Sequence, residues 1–486
     1  MLEGLEIKEI RFKNLHIDND KFRIDDEFYL KKYLKAYHTI KGKPHKQIVN
    51  ILEVLSDFSA NGSYESIAAN FTLLDEEDYA YMVRSTDLEK SDFITNVKYV
   101  SEHSYNFLEK SKLFGGEILI NKIGNPGRVY MMPKLNKPVS LGMNLFMLRL
   151  SNKSNYKEKY IWAFFNTEIG QNIIKRKVNG TAPLTIDKEA VRTLYLPLVS
   201  PDFQEDIDKT ISNSESTLVQ SKLAYLKAES ILLNEVKFNS SQLNTDSVNI
   251  KNFKESFGKS KRLDAEYYQI KYEQVIEKII TQKHDTLNSI VEISKSIEPG
   301  SNHYSDEDEG LPFYRVSDYN KFGLSKPDKE LKRSFVADNN DLIEKLKPKK
   351  GTILFSKDGS VGTAYLLRND LGGITSGAIL HLQVKNKKEI LPEYLTLALN
   401  SKLVQMQAER DAGGSIILHW RKEEIEQVVV PIIDFKKQEQ IAELVEESFK
   451  LKVESERLLE IAKKAVEMAI EVDEATAIKF IKDNIK

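Results

Sequence analysis

Residues 350–367 read KGTILFSKDGSVGTAYLL, and residues 115–132 read GGEILINKIGNPGRVYMM. Gly116, Ile118, Leu119, Lys122, Gly124, Gly127 and Tyr130 match Gly351, Ile353, Leu354, Lys357, Gly359, Gly362 and Tyr365 at one constant offset of 235. Each stretch reads as a strand, a glycine-hinged loop that begins with a lysine, and a second strand. The match extends in both directions. FRIDDEFYLKKY (Phe22–Tyr33) resembles KRLDAEYYQIKY (Lys261–Tyr272) at an offset of 239, and Arg84 and Asp87 correspond to Arg315 and Asp318. Downstream, Tyr160, Asn166, Gly180, Leu184, Glu189, Pro197, Gln204 and Ile207 meet Tyr394, Asn400, Gly414, Leu418, Glu423, Pro431, Gln438 and Ile441 at an offset of 234. So small a drift marks a tandem duplication, with copies at residues 1 to about 238 and 239 to 486.

The expected fold is α+β, a mixed α/β domain made twice, each copy closed by a long helix. A lead-in with a short helix covers 1–44 (helix at about 25–42), and its counterpart covers 239–283 (helix at about 264–283). The mixed domains span 45–200 and 284–434, with short strands such as GEILIN and GTILFS, and one helix near the end of each, EKYIWAFFNTEIGQNIIKRK or PEYLTLALNSKLVQMQAER. The closing helices occupy 201–238 and 435–486. Ile207, Ile211, Ser214, Leu218, Ser221, Tyr225, Ala228 and Leu232 in the first alternate spacings of four and three. Ile441, Leu444, Ser448, Leu451, Ser455, Leu458, Ala462 and Ala465 do the same in the second. This is a heptad seam. About 35 residues at 1.5 Å each give rods of roughly 50 Å. Two homologous helices in one duplicated chain are expected to pair antiparallel, and rods of that length would serve as a ruler.

Composition excludes more than it assigns. The chain has 486 residues, 41% of them hydrophobic and 30% charged, and a formal net charge of −2. No global positive field announces nucleic acid. The absence of cysteine rules out disulfides and thiolate metal sites. The start, MLEGLEIKEI, lacks an apolar signal core, and no stretch approaches the ~20 apolar residues of a membrane span, so a cytoplasmic protein is expected. The glycine loops carry their lysine before the glycines, unlike a phosphate-binding Walker loop. PDKELK (Pro327–Lys332) crowds its acids into six residues, too close for a metal nuclease, and reads as a solvated loop. His45 and His284 align between the copies in capping or packing positions, and SDEDEG (Ser305–Gly310) reads as an acidic turn. No catalytic or metal-ligating set emerges.

DNA contact fits the residues better. Phosphates take Arg, Lys, hydroxyls and free backbone N–H groups, and base edges take Arg, Lys, Asn or Gln. Lys122, Asn125 and Arg128 in one glycine loop, and Lys357 and Ser360 in the other, are candidates. So are Lys177, Asn179 and Thr181 in KRKVNGT and Ser415 in ERDAGGS, both glycine turns followed by a hydroxyl. Arg84, Arg315 and Arg421 complete the set. Yet residues 45–200 carry a net +2 and residues 284–434 a net −3, which is not the footprint of a strong independent DNA binder.

The repeat order, GTILFSKDGSVG, AGGSIILHWRKEEIEQVVVPII before a Gln-Glu-Gln helix, and KRLDAEYY together resemble the specificity (S) subunits of type I restriction–modification systems. The resemblance implies two target recognition domains on double-stranded DNA, each reading half of a split asymmetric site. It also implies that the paired helices dock two methyltransferase (M) subunits and that restriction (R) subunits join them. No cofactor is then expected on this chain: S-adenosylmethionine, ATP and Mg belong to the partners. A specificity subunit of a type II (IIB-like) system and a coiled-coil scaffold with degenerate recognition domains are the alternatives. The first loop departs from the pattern, with Asn125-Pro126-Gly127 where the second has Ser360-Val361-Gly362.

Overall fold

The computed structural model describes residues 10–485, apart from 16–18, 20, 91–92, 94–96, 245, 247, 306–309 and 415–416. The four acidic residues 306–309 of SDEDEG, expected as a turn over Ser305–Gly310, and Ser415 therefore lie outside the described residues. Each repeat is built on a four-stranded antiparallel sheet. In the first, β1 (Leu52–Asp57), β2 (Ile118–Asn121), β3 (Val129–Met131) and β4 (Leu145–Leu150) are ordered β1-β4-β2-β3. In the second, β5 (Val291–Lys295), β6 (Ile353–Ser356), β7 (Ala364–Leu366) and β8 (Ile379–Val384) are ordered β5-β8-β6-β7. The pairings of β2 and β6 agree residue for residue: Leu119 faces Tyr130 as Leu354 faces Tyr365, and Ile118 faces Leu148 as Ile353 faces Leu382. Every residue of β2 and β6 is buried, which is why both are nearly unbroken apolar runs rather than alternating ones. A second sheet in each domain contains one parallel pair, Ala80–Val83 with Val139–Leu141 and Leu311–Tyr314 with Ile374–Thr375.

Three expectations change. The single helix near the end of each domain is two helices, Glu158–Phe165 and Glu168–Arg176, then Pro392–Asn400 and Lys402–Asp411. The break has local causes. Thr167 caps the second helix by accepting the Gly170 N–H at 3.0 Å. Asn166 and Asn400 turn their amides outward, to the Val129 and Ala364 carbonyls at 3.2 and 2.8 Å. The lead-in helices are shorter than expected, Lys31–Lys41 and Ile270–Ile280, because 3-10 turns at Glu27–Tyr29 and Ala265–Tyr268 precede them. PDKELK is not all loop. Glu330–Leu331 is a strand against Leu311–Pro312, and the Glu330 carboxylate accepts the Gly310 N–H at 2.6 Å.

The closing helices are Pro201–Glu235 and Phe435–Glu471, and they pair antiparallel. Ser214 donates to the Ser455 carbonyl at 2.8 Å, and Ser455 donates back to the Ser214 carbonyl at 2.9 Å. Ser221 donates to the Ser448 carbonyl at 2.7 Å. The repeat offset of 234 carries one pair onto the other. A buried serine is short enough for its hydroxyl to meet the facing backbone, which a leucine would hold away.

Residues up to Ser216 and from Glu454 onward form one compact unit, and Thr217–Val453 form another. The first unit joins Phe203, Ile207 and Ile211 with Ile461, Ala462, Ala465 and Val466 in the core of the first domain. The second joins Ile441 and Val445 with Tyr225, Ala228, Leu232 and Val236 in the core of the second. Thus each closing helix starts on its own domain and ends in the other unit, as antiparallel pairing requires. Leu458 is buried, whereas Leu218, Leu444 and Leu451 are half-buried. Two buried glutamines fix the helix starts: Gln204 accepts the Lys157 N–H at 2.9 Å, and Gln438 accepts the Leu391 N–H at 3.1 Å. Among the described residues, no helix is long and apolar enough to cross a membrane.

Candidate nucleic-acid interface

The two glycine loops close in the same way. Asn121 N–H donates to Arg128 O and Gly127 N–H to Asn121 O, at 2.9 and 2.8 Å; Ser356 to Thr363 and Gly362 to Ser356 repeat both bonds at 3.0 and 2.8 Å. Gly124 and Gly359 have φ of +83° and +72° with open space around them, so backbone conformation alone selects glycine there. Gly127 and Gly362 add a close approach: a Cβ would meet Ile174 at 2.5 Å or the Gln405 amide at 2.9 Å. Gln171 and Gln405 bind these glycines, donating to the Gly127 and Gly362 carbonyls at 3.1 and 2.8 Å.

In each domain the glycine turn is joined to the glycine loop by backbone hydrogen bonds. Gly124 N–H donates to Leu184 O at 3.1 Å and Ile186 N–H to Lys122 O at 3.0 Å. Gly359 to Leu418 and Trp420 to Lys357 reproduce these bonds, both at 2.8 Å. The turns themselves close through Asn179 and Thr185, and through Gly413 and His419. Lys175–Thr181 and residues 409–414, far from the loops in sequence, therefore form one surface with them. Its exposed tips are Gly124, Asn125, Gly180 and Thr181 in one domain, and Gly359, Ser360 and Gly414 in the other.

The charged candidates are less free than their sequence suggests. Lys122 is mostly buried and donates to Asp57 at 2.8 Å, and Lys188 reaches the same carboxylate at 3.3 Å. Burial raises the Asp57 carboxyl, but its contacts with Lys122, Ser59 and Lys188 outweigh that and leave it below the usual carboxylate range. Lys357 pairs with the adjacent Asp358, which also meets His419 at 2.9 Å. Arg128 pairs with Glu89 at 2.9 Å, and the Tyr130 hydroxyl donates to the same carboxylate at 2.9 Å. Its phenol is pushed up by burial and by Glu89.

Arg84 and Arg315 sit at matching turns that follow one strand of each parallel pair, their N–H groups donating to Asp87 and Asp318 at 2.9 and 2.7 Å. The second turn touches its glycine loop through Tyr319, whose hydroxyl donates to Thr363 O at 3.2 Å. Lys177 ends the helix before its turn, and Asn179 accepts the Thr185 hydroxyl at 3.1 Å. Arg421 is exposed and paired with Glu424. His45 and His284 each contact a backbone carbonyl two residues back, Lys43 O and Gln282 O, at 2.7 Å. Among the described residues no group of three or more His, Asp or Glu could hold a metal ion. Sequence reasoning passed over Asp57, Asp358, His419 and the glutamine pair. The glutamines were legible, since Gln171 and Gln405 match at the offset of 234.

Residues 282–463 match the model of a family described as the type I restriction modification DNA specificity domain. No curated protein matches the chain. Among solved structures, the chain is similar to the type I restriction–modification system S subunit from M. genitalium, at 15% identity and a TM-score of 0.35 over 90% of this chain and 95% of that one. It is also similar to the HsdS subunit from Thermoanaerobacter tengcongensis, at 11% identity and a TM-score of 0.26 over 91% and 97%. A chain from work on complex assembly and conformational transition of the type I R-M system matches at 11% identity and a TM-score of 0.28, over 88% and 97%.

Proposed function

We propose, from the match of residues 282–463 to the type I restriction modification DNA specificity domain, that the whole chain is a DNA-binding specificity subunit reading a split, asymmetric site. One observation carries the reading to the first half: residues 45–200 repeat the sheet order and loop-to-turn hydrogen bonds of the matched domain. Two recognition domains of one fold with different surface residues suit two different half-sites. The near-neutral charge of each domain, and the pairing of Lys122 and Lys357 with carboxylates, support a subunit that leaves much of the phosphate contact to partners. Those partners are two methyltransferase subunits, joined by restriction subunits, and they carry S-adenosylmethionine, ATP and Mg. The chain itself is non-catalytic and works in the cytoplasm. The test is to mix the purified chain with its candidate methyltransferase subunit and sequence the methylated DNA. One split motif is expected with the chain present and none without it. Methylation or cleavage by the chain free of partners would contradict the reading.

A further inference from the structure

The lead-in of each repeat holds an Arg-Ile-Asp or Arg-Leu-Asp that touches the glycine turn of its own domain. Arg23 donates through Nε and Nη2 to the Asp25 carboxylate at 2.8 and 2.6 Å. Its remaining Nη1 donates to the carbonyls of Val178 and Arg176 at 2.5 and 3.2 Å. Arg262 forks onto Asp264 at 2.8 and 2.7 Å, and its Nη1 donates to Asp411 O at 2.7 Å. Val178 and Asp411 stand at the mouths of the two turns. The surroundings repeat as well. Phe28 lies between the guanidinium groups of Arg23 and Arg176, at 5.0 and 4.2 Å from its ring centre. Its counterpart Tyr267 lies between those of Arg262 and Arg410, at 4.7 and 5.0 Å. Tyr29 and Tyr268 donate to the arginines' own carbonyls at 3.2 and 2.9 Å.

This arrangement is more than a surface ion pair. The carboxylate uses one edge of a planar guanidinium and leaves the other aimed at the turn backbone, which a lysine ammonium cannot do. Both arginine side chains are mostly buried, 15% and 19% exposed, so the geometry is held from all sides. A fork of this kind sets the position and tilt of the chain where it leaves the helix for the turn.

We infer that Arg23 and Arg262 are positioning residues, each fixing the glycine turn of its own domain and thereby the stringency with which that domain reads its half-site. The inference rests on the proposed DNA-reading role, and its experiment has two arms that separate the two. In the first, hydrogen exchange on the full free chain compares wild type with R23K and R262K. R262K is expected to speed exchange of the Gly413 and His419 amides while those of Asn179 and Thr185 keep their rates, and R23K to do the reverse. D25N and D264N, which remove the carboxylate charge, should act in the same direction if a lysine variant fails to fold. Unchanged exchange in the affected turn overturns the inference. In the second arm, methylated sites are sequenced for the chain with its methyltransferase partner. R262K should lose about tenfold of its discrimination in one half-site, on the scale of a single mismatched base pair, with the other half and the melting temperature unchanged. Faster turn exchange with both half-sites equally stringent also overturns it. Absence of any sequence-specific methylation by the wild-type complex would instead defeat the DNA-reading role, and the exchange result would still decide the clasp.

Discussion

In the first domain the loop lysine, Lys122, reaches across to Asp57 at the end of β1. In the second domain the equivalent place on β5, opposite Leu380 as Asp57 is opposite Phe146, is Lys295. A lysine cannot accept the loop cation, and Lys357 pairs with Asp358, which stands where the first domain has Ile123. The two loops share their closing backbone bonds, and the second adds one, Val361 N–H to Gly359 O at 2.9 Å, where the first has Pro126; the carboxylate that neutralises the lysine comes from β1 in the first domain and from the loop itself in the second. The second sheets diverge further. The parallel strand Val139–Leu141 has a neighbour on each side, whereas its counterpart Ile374–Thr375 is an edge among the described residues. The common hydrogen bonds build a scaffold for the loops, and the electrostatics and second sheet vary on it. Selection for two different half-sites would leave this pattern.

The two domains also part at single buried residues. Gly170 packs so tightly that a Cβ would stand 2.1 Å from the Phe164 carbonyl oxygen, yet the matching residue of the second domain is the buried Val404. Gly170→Ala should destabilise the first unit by about 3 kcal/mol, seen as an early transition in thermal or denaturant unfolding. Tolerance of alanine there would mean that the two helices of the first domain do not need the close approach that Gly170 permits.

A second difference is acid sensitivity. His381 on β8 occupies the position of Met147 on β4 and contacts the Thr375 hydroxyl at 2.8 Å. Burial lowers its pKa from 6.5 to about 4. The unfolded imidazole then binds more protons than the folded one, so stability is complete above about pH 6.5 and falls as pH drops toward 4. Between pH 7 and pH 5 the loss should be about 2 kcal/mol, confined to the second unit. His381→Met should remove most of that pH dependence, and equal acid lability of both units would contradict it.

The smallest effect concerns the loop charges. Asp57→Asn should free Lys122 and Lys188, and non-specific DNA binding by the chain should become more salt-dependent, with a slope steeper by about one to two. An unchanged slope would place both lysines away from the phosphates.

Much of this was written in the sequence because it is doubled. Tyr160 and Tyr394, Asn166 and Asn400, and Gln204 and Gln438 make matching hydrogen bonds in the two repeats, to Pro197 and Pro431 carbonyls in the case of the tyrosines. A residue bound to invariant backbone must keep its type in both copies, so it stays visible as a matched letter. The Asp57–Lys122 pair was not visible, because its partners lie 65 residues apart and the second copy replaces the acid with a base. The helix break at Asn166 and Thr167 was hidden inside an apolar periodicity that continues on both sides of it. The exchange of helix ends was implicit in the antiparallel seam, but a division of the chain by repeats draws the boundary elsewhere.

On the proposed function, each recognition domain reads its own half of the site. The most direct test replaces residues 45–200 with the recognition domain of another family member, assembles the hybrid with the methyltransferase subunit, and sequences the methylated DNA. The expected motif has one new half and one half identical to that of the wild type. Both halves changing together would show that the domains do not read independently.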